Sequence, residues 1–94
     1  MNMIVSIDKK SVGLIKEMLR EQNKEAIRIA KRGVGWGGLQ LEIVLDEQKP
    51  NDDVVIDNGI KIAADKSFSF FFTSALITHK EGIFGPRFKL TTKQ

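Results

Sequence analysis

The sequence predicts an α+β domain in which one long N-terminal helix packs against small, mostly antiparallel sheets. Three observations support this fold class. Apolar residues recur with helical spacing between residues 8 and 22, residues 39–46 alternate in polarity, and Asn58-Gly59 separates two β-branched runs. Ninety-four residues suffice for one modest core, so we expect a single domain over residues 1–94.

The N-terminal part predicts a short extended segment, Met3–Ile7, followed by a helix to about Gln22 that Asp8 can cap. One half of the helical wheel is apolar and the other is charged, so we expect the helix to lay one face on a core. The apolar half contains Val12, Leu14, Ile15, Met18 and Leu19.

Two strands are predicted to follow, with a glycine-rich loop between them. Residues 25–31 read as a strand that places Ile27 and Ile29 on one face and Arg28 on the other. Residues 39–46 are the clearest strand, because leucine and isoleucine occupy every second position. The short connection favours an antiparallel pair.

The second half of the sequence predicts a polar turn at 47–53 and a tight hairpin of residues 54–56 and 60–63 around Asn58-Gly59. Residues 67–74 contain four phenylalanines and predict a short helix that Asp65 or Ser67 can cap. We expect these phenylalanines to supply much of the core, while an exposed fraction would indicate an oligomer interface.

The C-terminal part predicts a strand at 76–79, a turn at 81–86 and a final strand at 87–91 with Phe88 and Leu90 on one face.

The composition excludes several classes of protein. None of the 94 residues is cysteine, so they can form no disulfide, no thiolate metal site and no cysteine nucleophile. No apolar run approaches the ~20 residues that cross a membrane, and the start lacks the pattern of a signal peptide. We therefore expect a cytoplasmic protein without a membrane partner.

The net charge of +3 does not predict a nucleic-acid partner, because basic and acidic residues are interspersed along the chain. Surfaces that bind polyanions tend to cluster their positive charge. The densest basic group is Arg28, Lys31 and Arg32.

The segment Arg32-Gly33-Val34-Gly35-Trp36-Gly37-Gly38, called the glycine turn below, is the candidate site because it combines four glycines with the only tryptophan. Gly33, Gly35 and Gly38 match G-x-G-x-x-G, but a dinucleotide site requires this pattern to open a helix, and here a strand follows. Three interpretations stay open: a structural turn with Trp36 packed, a surface that contacts a partner, and an anion site of backbone amides beside Lys31 and Arg32.

The remaining polar residues predict no catalytic or metal site. His79 is the only histidine and has no cysteine to share a metal with. The acidic pairs Asp46-Glu47 and Asp52-Asp53 lack EF-hand spacing. Several hydroxyl side chains lie near His79 in sequence without forming a convincing nucleophile–base pair: Ser67, Ser69, Thr73, Ser74 and Thr78. We expect no cofactor and no enzyme activity.

Five segments of the chain, in their order and spacing, make it resemble the HesB/IscA-like domain. This domain defines the A-type iron–sulfur cluster biogenesis family. The five segments are the glycine turn, Leu41–Glu47, Pro50–Asp53, Val55–Ile62 and Glu81–Leu90. The resemblance extends from Ser6 to Thr92. It implies a HesB-like fold of two small mixed sheets, arranged as a pseudo-barrel or sandwich, with one packed helix.

The chain departs from this family at the ligand positions. Members that carry clusters place one cysteine in the glycine turn and two more in a Cys-Gly-Cys segment near the C-terminus. Here Val34 resembles the residue at the first cysteine position. The second and third cysteines are absent from the sequence up to Gln94. The resemblance therefore implies a cysteine-free, non-catalytic binding or assembly module whose glycine turn contacts a protein partner or a second copy. The alternative is a small-molecule or anion-binding protein that uses residues 33–38.

Overall fold

The computed structural model of the chain describes residues 3–35 and 38–92. Seven strands, one α-helix and one 3₁₀ turn follow one another along this part of the chain. They are β1 (Val5–Ile7), α1 (Lys9–Gln22), β2 (Ala26–Gly35), β3 (Gly38–Asp46), β4 (Asp52–Asp57), β5 (Ile60–Asp65), the 3₁₀ turn Ser69–Phe71, β6 (Ala75–Gly82) and β7 (Gly85–Thr92).

The strands form two sheets, one in the order β1-β6-β7 and one in the order β3-β2-β5-β4. β1 runs parallel to β6, and β2 runs parallel to β5, whereas the three other pairings are antiparallel. Both sheets are therefore mixed, and the predicted α+β class with mostly antiparallel pairing is confirmed.

Helix α1 rests on the core through one face, as its apolar half predicts. Ile15 is fully buried, and Val12 and Leu19 pack against the core. The predicted cap is wrong in one respect: Asp8 occupies the N-cap position, but its side chain makes no capping hydrogen bond. Instead, its main-chain oxygen accepts a hydrogen bond of 2.8 Å from the amide of Ser11.

The core draws side chains from both sheets and from the helix. Its most enclosed members come from strands that carry β-branched residues on the inward face, where such residues pack well. They are Ile27 and Ile29 of β2, Ile60 and Ile62 of β5, and Ile77 of β6, together with Ile15 and Phe72.

The four phenylalanines contribute less to the core than the sequence predicts. Phe72 is buried, and Phe68 packs edge-to-face on it at a centroid distance of 6.0 Å. Phe70 and Phe71 remain 48% and 56% exposed. The predicted helix is only the three-residue 3₁₀ turn, too short to turn all four rings inward, and its N-cap is Phe68 rather than Asp65 or Ser67.

The hairpin at Asn58-Gly59 is confirmed. Asp57 pairs with Ile60, and Asn58 and Gly59 have φ angles of 52° and 79°. Two successive positive φ angles are typical of a type I′ turn, whose twist matches that of the flanking strands.

The last hairpin is longer than predicted. Residues 81–86 were expected to form a turn, yet β6 and β7 stay paired as far as Gly82 and Gly85, so only Ile83 and Phe84 lie between the strands. Within residues 3–35 and 38–92, no helix has the length and apolar character that a membrane span needs.

Candidate functional site

The described residues of the glycine turn belong to paired strands, and the prediction of a separate loop over residues 33–38 is wrong for these residues. Gly33 pairs with Gln40, Val34 with Leu39, and Gly35 with Gly38. Glycine has no side chain, so it interrupts the alternation of polarity that reveals a strand in sequence, although its backbone can still join the ladder.

This hairpin extends beyond the rest of its sheet. β2 pairs with β3 over almost its whole length, but with β5 only over Ala26–Ile29. Because β3 is the edge strand, residues 30–35 and 38–42 have only each other as partners in this sheet. We call these residues the arm; the described part of the glycine turn forms its far end.

A β-bulge interrupts the arm at Arg32. The register passes from Lys31 opposite Leu41 directly to Gly33 opposite Gln40, which leaves Arg32 as the extra residue. Bulges bend a strand and re-aim side chains, and they are frequent beside functional sites. Lys31 and Arg32 are both exposed at this point.

The structure describes five of the seven predicted site residues. Arg32 and Gly33 lie at the bulge, and Val34, Gly35 and Gly38 occupy strand positions. Trp36 and Gly37 lie outside the described residues. The role of the glycine turn as a contact surface stays a prediction.

Arg28 does not belong to an exposed basic group with Lys31 and Arg32, because its side chain is only 9% exposed. Its two terminal nitrogens donate hydrogen bonds of 2.7 Å and 2.6 Å to the two carboxylate oxygens of Asp52, whose side chain is 1% exposed. Arg28 Nε donates to Asp46 Oδ2 at 3.0 Å, and Nη2 also donates to the main-chain oxygen of Glu47 at 2.9 Å. One buried guanidinium thus fixes the polar turn to β2.

This network keeps its carboxylates charged. Hydrogen bonds from Arg28 lower the pKa of Asp52, outweighing the opposing effect of burial. The amide of Glu47, followed by Arg28, lowers the pKa of Asp46. Both oxygens of Asp52 are occupied by Arg28, and Asp53 accepts a hydrogen bond from Ser69 Oγ. In the described part of the chain, no three acidic or histidine side chains converge as metal ligands would.

A contact between Ser11 and His79 escaped the sequence analysis. Ser11 Oγ lies 2.6 Å from His79 Nδ1 and joins α1 to β6. Ser11 is fully buried, so its hydroxyl cannot reach a substrate, and His79 Nε2 lies 4.0 Å from Glu81 Oε1, beyond hydrogen-bonding distance. The sequence does contain one indication that Ser11 is buried: it lies four residues before Ile15, on the apolar side of the helix.

Sequence comparison relates the chain to two curated proteins, both named iron–sulfur cluster insertion protein ErpA. The protein from Blochmanniella floridana is 35% identical over 63 residues, which are 66% of this chain and 53% of that protein. The protein from Marinobacter nauticus is 28% identical over 81 residues, which are 83% of this chain and 74% of that protein. The chain thus spans about half the length of the Blochmanniella relative. No protein-family model matches the sequence.

Three solved structures share the fold. A crystal structure of IscA with the [2Fe-2S] cluster has a TM-score of 0.76 at 18% identity and is matched over 95% of this chain and 85% of that one. Escherichia coli SufA, described as involved in the biosynthesis of iron–sulfur clusters, has a TM-score of 0.78 at 14% identity, over 94% and 79%. An Aquifex aeolicus protein solved by NMR has a TM-score of 0.72 at 23% identity, over 98% and 94%. The fold predicted from the sequence is confirmed.

Proposed function

We propose that this chain, which belongs to the HesB/IscA-like family by its sequence similarity and its fold, is a non-catalytic binding or assembly module of cytoplasmic iron–sulfur cluster biogenesis. In this proposal it does not carry the cluster itself. It contacts a protein that does, through the glycine turn.

The observation that carries the proposal is the absence of cysteine from all 94 residues. Iron–sulfur clusters are held by cysteine thiolates, with histidine as an occasional replacement. By the family resemblance, Val34 corresponds to the first cysteine position, and its side chain has no donor atom. His79, the only histidine, has Ser11 on one ring nitrogen. The residues present do not fit a cluster, so we assign none of them a role as a ligand.

The shape of the arm supports the glycine turn as the contact surface. The arm extends past β5, and it has a bulge, a feature that typically bends a strand, at Arg32 beside the two exposed cations Lys31 and Arg32. Beyond Leu41, which packs against the core, the described strand residues of the arm have no further neighbour in their sheet, so a partner can approach them there. The partner we propose is a cysteine-bearing cluster-assembly protein, and self-association is the competing outcome.

Anaerobic reconstitution tests the first half of the proposal. The purified protein is incubated with ferrous iron and sulfide, desalted, and its absorption spectrum recorded beside that of an IscA-type protein treated in the same way. We expect cluster absorption only in the cysteine-bearing control. A brown protein that retains iron and sulfide after desalting would overturn the proposal.

Binding to a purified IscA-type protein from the same organism tests the second half. We expect Trp36→Ala and Arg32→Ala to weaken this binding, while Arg20→Ala, which removes an exposed cation from the helix, leaves it unchanged. Equal binding by all three variants would remove the glycine turn as the contact surface, and a stable homodimer without heterologous binding would favour self-association.

The anion-binding alternative receives no support from the described backbone. An anion nest needs successive amide groups that are free to point at the ligand, whereas residues 33–35 and 38–40 pair as strands. Titration with inorganic phosphate, followed by Trp36 fluorescence, separates the two proposals. Saturable quenching would favour the alternative.

A further inference from the structure

The outer face of the β6–β7 hairpin carries a group of side chains that the proposed function does not use. Register pairs Leu76 with Thr91, Thr78 with Lys89, and Lys80 with Arg87. These six residues alternate with Ile77, His79, Phe88 and Leu90, which face the core or its border. We call the six residues the outer face.

Three exposed cations lie close together on the outer face. Lys80 and Arg87 are direct cross-strand neighbours, and Lys89 is diagonal to Lys80, a separation of roughly 7–8 Å in antiparallel sheets. Within residues 3–35 and 38–92, none of the three forms an ion pair. Like charges directly opposite each other destabilise a sheet. An acidic ligand would relieve this repulsion.

The tip of the same hairpin exposes two large apolar side chains, Ile83 and Phe84, which are 96% and 102% exposed. The turn does not need them, because its demands fall on the flanking glycines. Gly85 has a φ of 110°, and a Cβ on Gly82 would lie 3.0 Å from the oxygen of Gly85. Ile83 and Phe84 border a shallow depression with Arg87 and add nothing to the core. Apolar side chains exposed beside a polar rim indicate an interaction surface.

We propose that the outer face and the tip dock an acidic segment of another protein that carries an apolar side chain. Carboxylates of the segment meet Lys80, Arg87 and Lys89, and the apolar side chain meets Ile83 and Phe84. The surface is small, so the contact is transient and weakens with salt. It shares no residue with the glycine turn, and the inference stands independently of the proposed function.

Charge and shape favour a protein over the other polyanions. Segments that bind anionic membranes usually carry clusters of four to eight basic residues, whereas the outer face has three. Single-stranded nucleic acid stacks on series of aromatic side chains, whereas the outer face has none and the tip has the single exposed ring of Phe84. At the tip, the exposed Phe84 lies beside Arg87, and both residue types are enriched at protein interfaces.

The test is an NMR titration of the ¹⁵N-labelled protein with a synthetic peptide of glutamates flanking a central Leu-Phe. We expect saturable shift changes at the outer face and the tip. The charge reversal Arg87→Glu/Lys89→Glu should weaken binding about tenfold or more, because like charges would then face each other. Lys9→Glu/Lys10→Glu makes the same change in net charge on the helix and should leave the affinity nearly unchanged.

The apolar part is tested with Ile83→Ser/Phe84→Ser, which should also weaken binding, against Ile56→Ser as an exposed apolar control on β4. Thermal unfolding of every variant checks that it is folded. Arg87→Glu removes a repulsive pair and should not lower the melting temperature. A peptide that causes no saturable shifts, or equal weakening by the helix variant, would overturn the inference. Tighter binding to phosphatidylserine vesicles or to oligothymidylate would replace it with a membrane or a nucleic-acid surface.

Discussion

Arg28 donates hydrogen bonds to both carboxylate oxygens of Asp52, although β2 and β4 are not neighbours in their sheet. The intervening strand β5 places Ala63 opposite both Arg28 and Val54. A small side chain at this point leaves room for the guanidinium to cross. The ion pair therefore bridges three strands and holds the polar turn that separates β3 from β4.

Removal of one partner of this pair should be costly. Asp52→Ala leaves Arg28 buried without its main acceptor, and we expect it to lower the free energy of unfolding by about 3 kcal/mol. Urea unfolding measures the change. Glu25→Gln, at the exposed pair with Lys61, is the control and should have little effect. If the double variant Arg28→Met/Asp52→Leu is as unstable as Asp52→Ala, an uncompensated buried charge is not the cause.

The carboxylates that Arg28 holds make the stability of the fold depend on pH in the acidic range. The pKa of Asp52 and that of Asp46 are lower in the folded protein than the ordinary value of about 3.9, so each carboxylate stabilises the fold above that value. This stabilisation is lost as the pH falls from about 4 through the lower folded-state pKa. We expect the melting temperature to fall over this range, and to fall less in Asp52→Asn. A melting temperature that rises on acidification would contradict the assignment.

Two glycines should respond to alanine in opposite directions. Gly13 lies in the helix with open space where a methyl group would project, and Gly13→Ala should stabilise the protein by about 1 kcal/mol. Gly59 has a φ of 79°, which alanine adopts with strain, and Gly59→Ala should destabilise by about 1 kcal/mol. Differential scanning calorimetry of both variants checks the signs. If both substitutions changed stability in the same direction, the backbone conformation at Gly13 or at Gly59 would differ from the one described.

The contact between Ser11 and His79 is expected to be structural. Ser11→Ala removes the hydroxyl partner of His79 Nδ1 and should cost about 1 kcal/mol of stability. Ser6→Ala, on the exposed side of β1, should change little. A fluorophosphonate probe reports on the alternative, and labelling of Ser11 in the folded protein would show that its hydroxyl is accessible after all.

The sequence could predict elements whose signal is local. Helix α1, strand β3 and the Asn58-Gly59 hairpin each depend on spacing within a few residues. The parallel pairings of β1 with β6 and of β2 with β5 leave no such pattern, because the partners are far apart in the chain. Ser11 and His79, 68 positions apart, were missed for the same reason.

The candidate site shows a second limit. Alternation correctly placed Arg28 on the face opposite Ile27 and Ile29, but it could not reveal that the polar turn covers that face. Glycines concealed the continuation of β2 and β3 in the same way, because a residue without a side chain carries no polarity. The sequence therefore located the glycine turn as unusual without revealing that its described part ends a hairpin.

The parallel pairing of β1 with β6 has a consequence for synthesis. Val5 is translated well before Ala75, its neighbour in the sheet. The three-residue strand β1 must wait in an unpaired state until then, and so must the core residues that border it. This sheet can therefore close only after most of the described chain has been made, and such long-range pairing is slow to form.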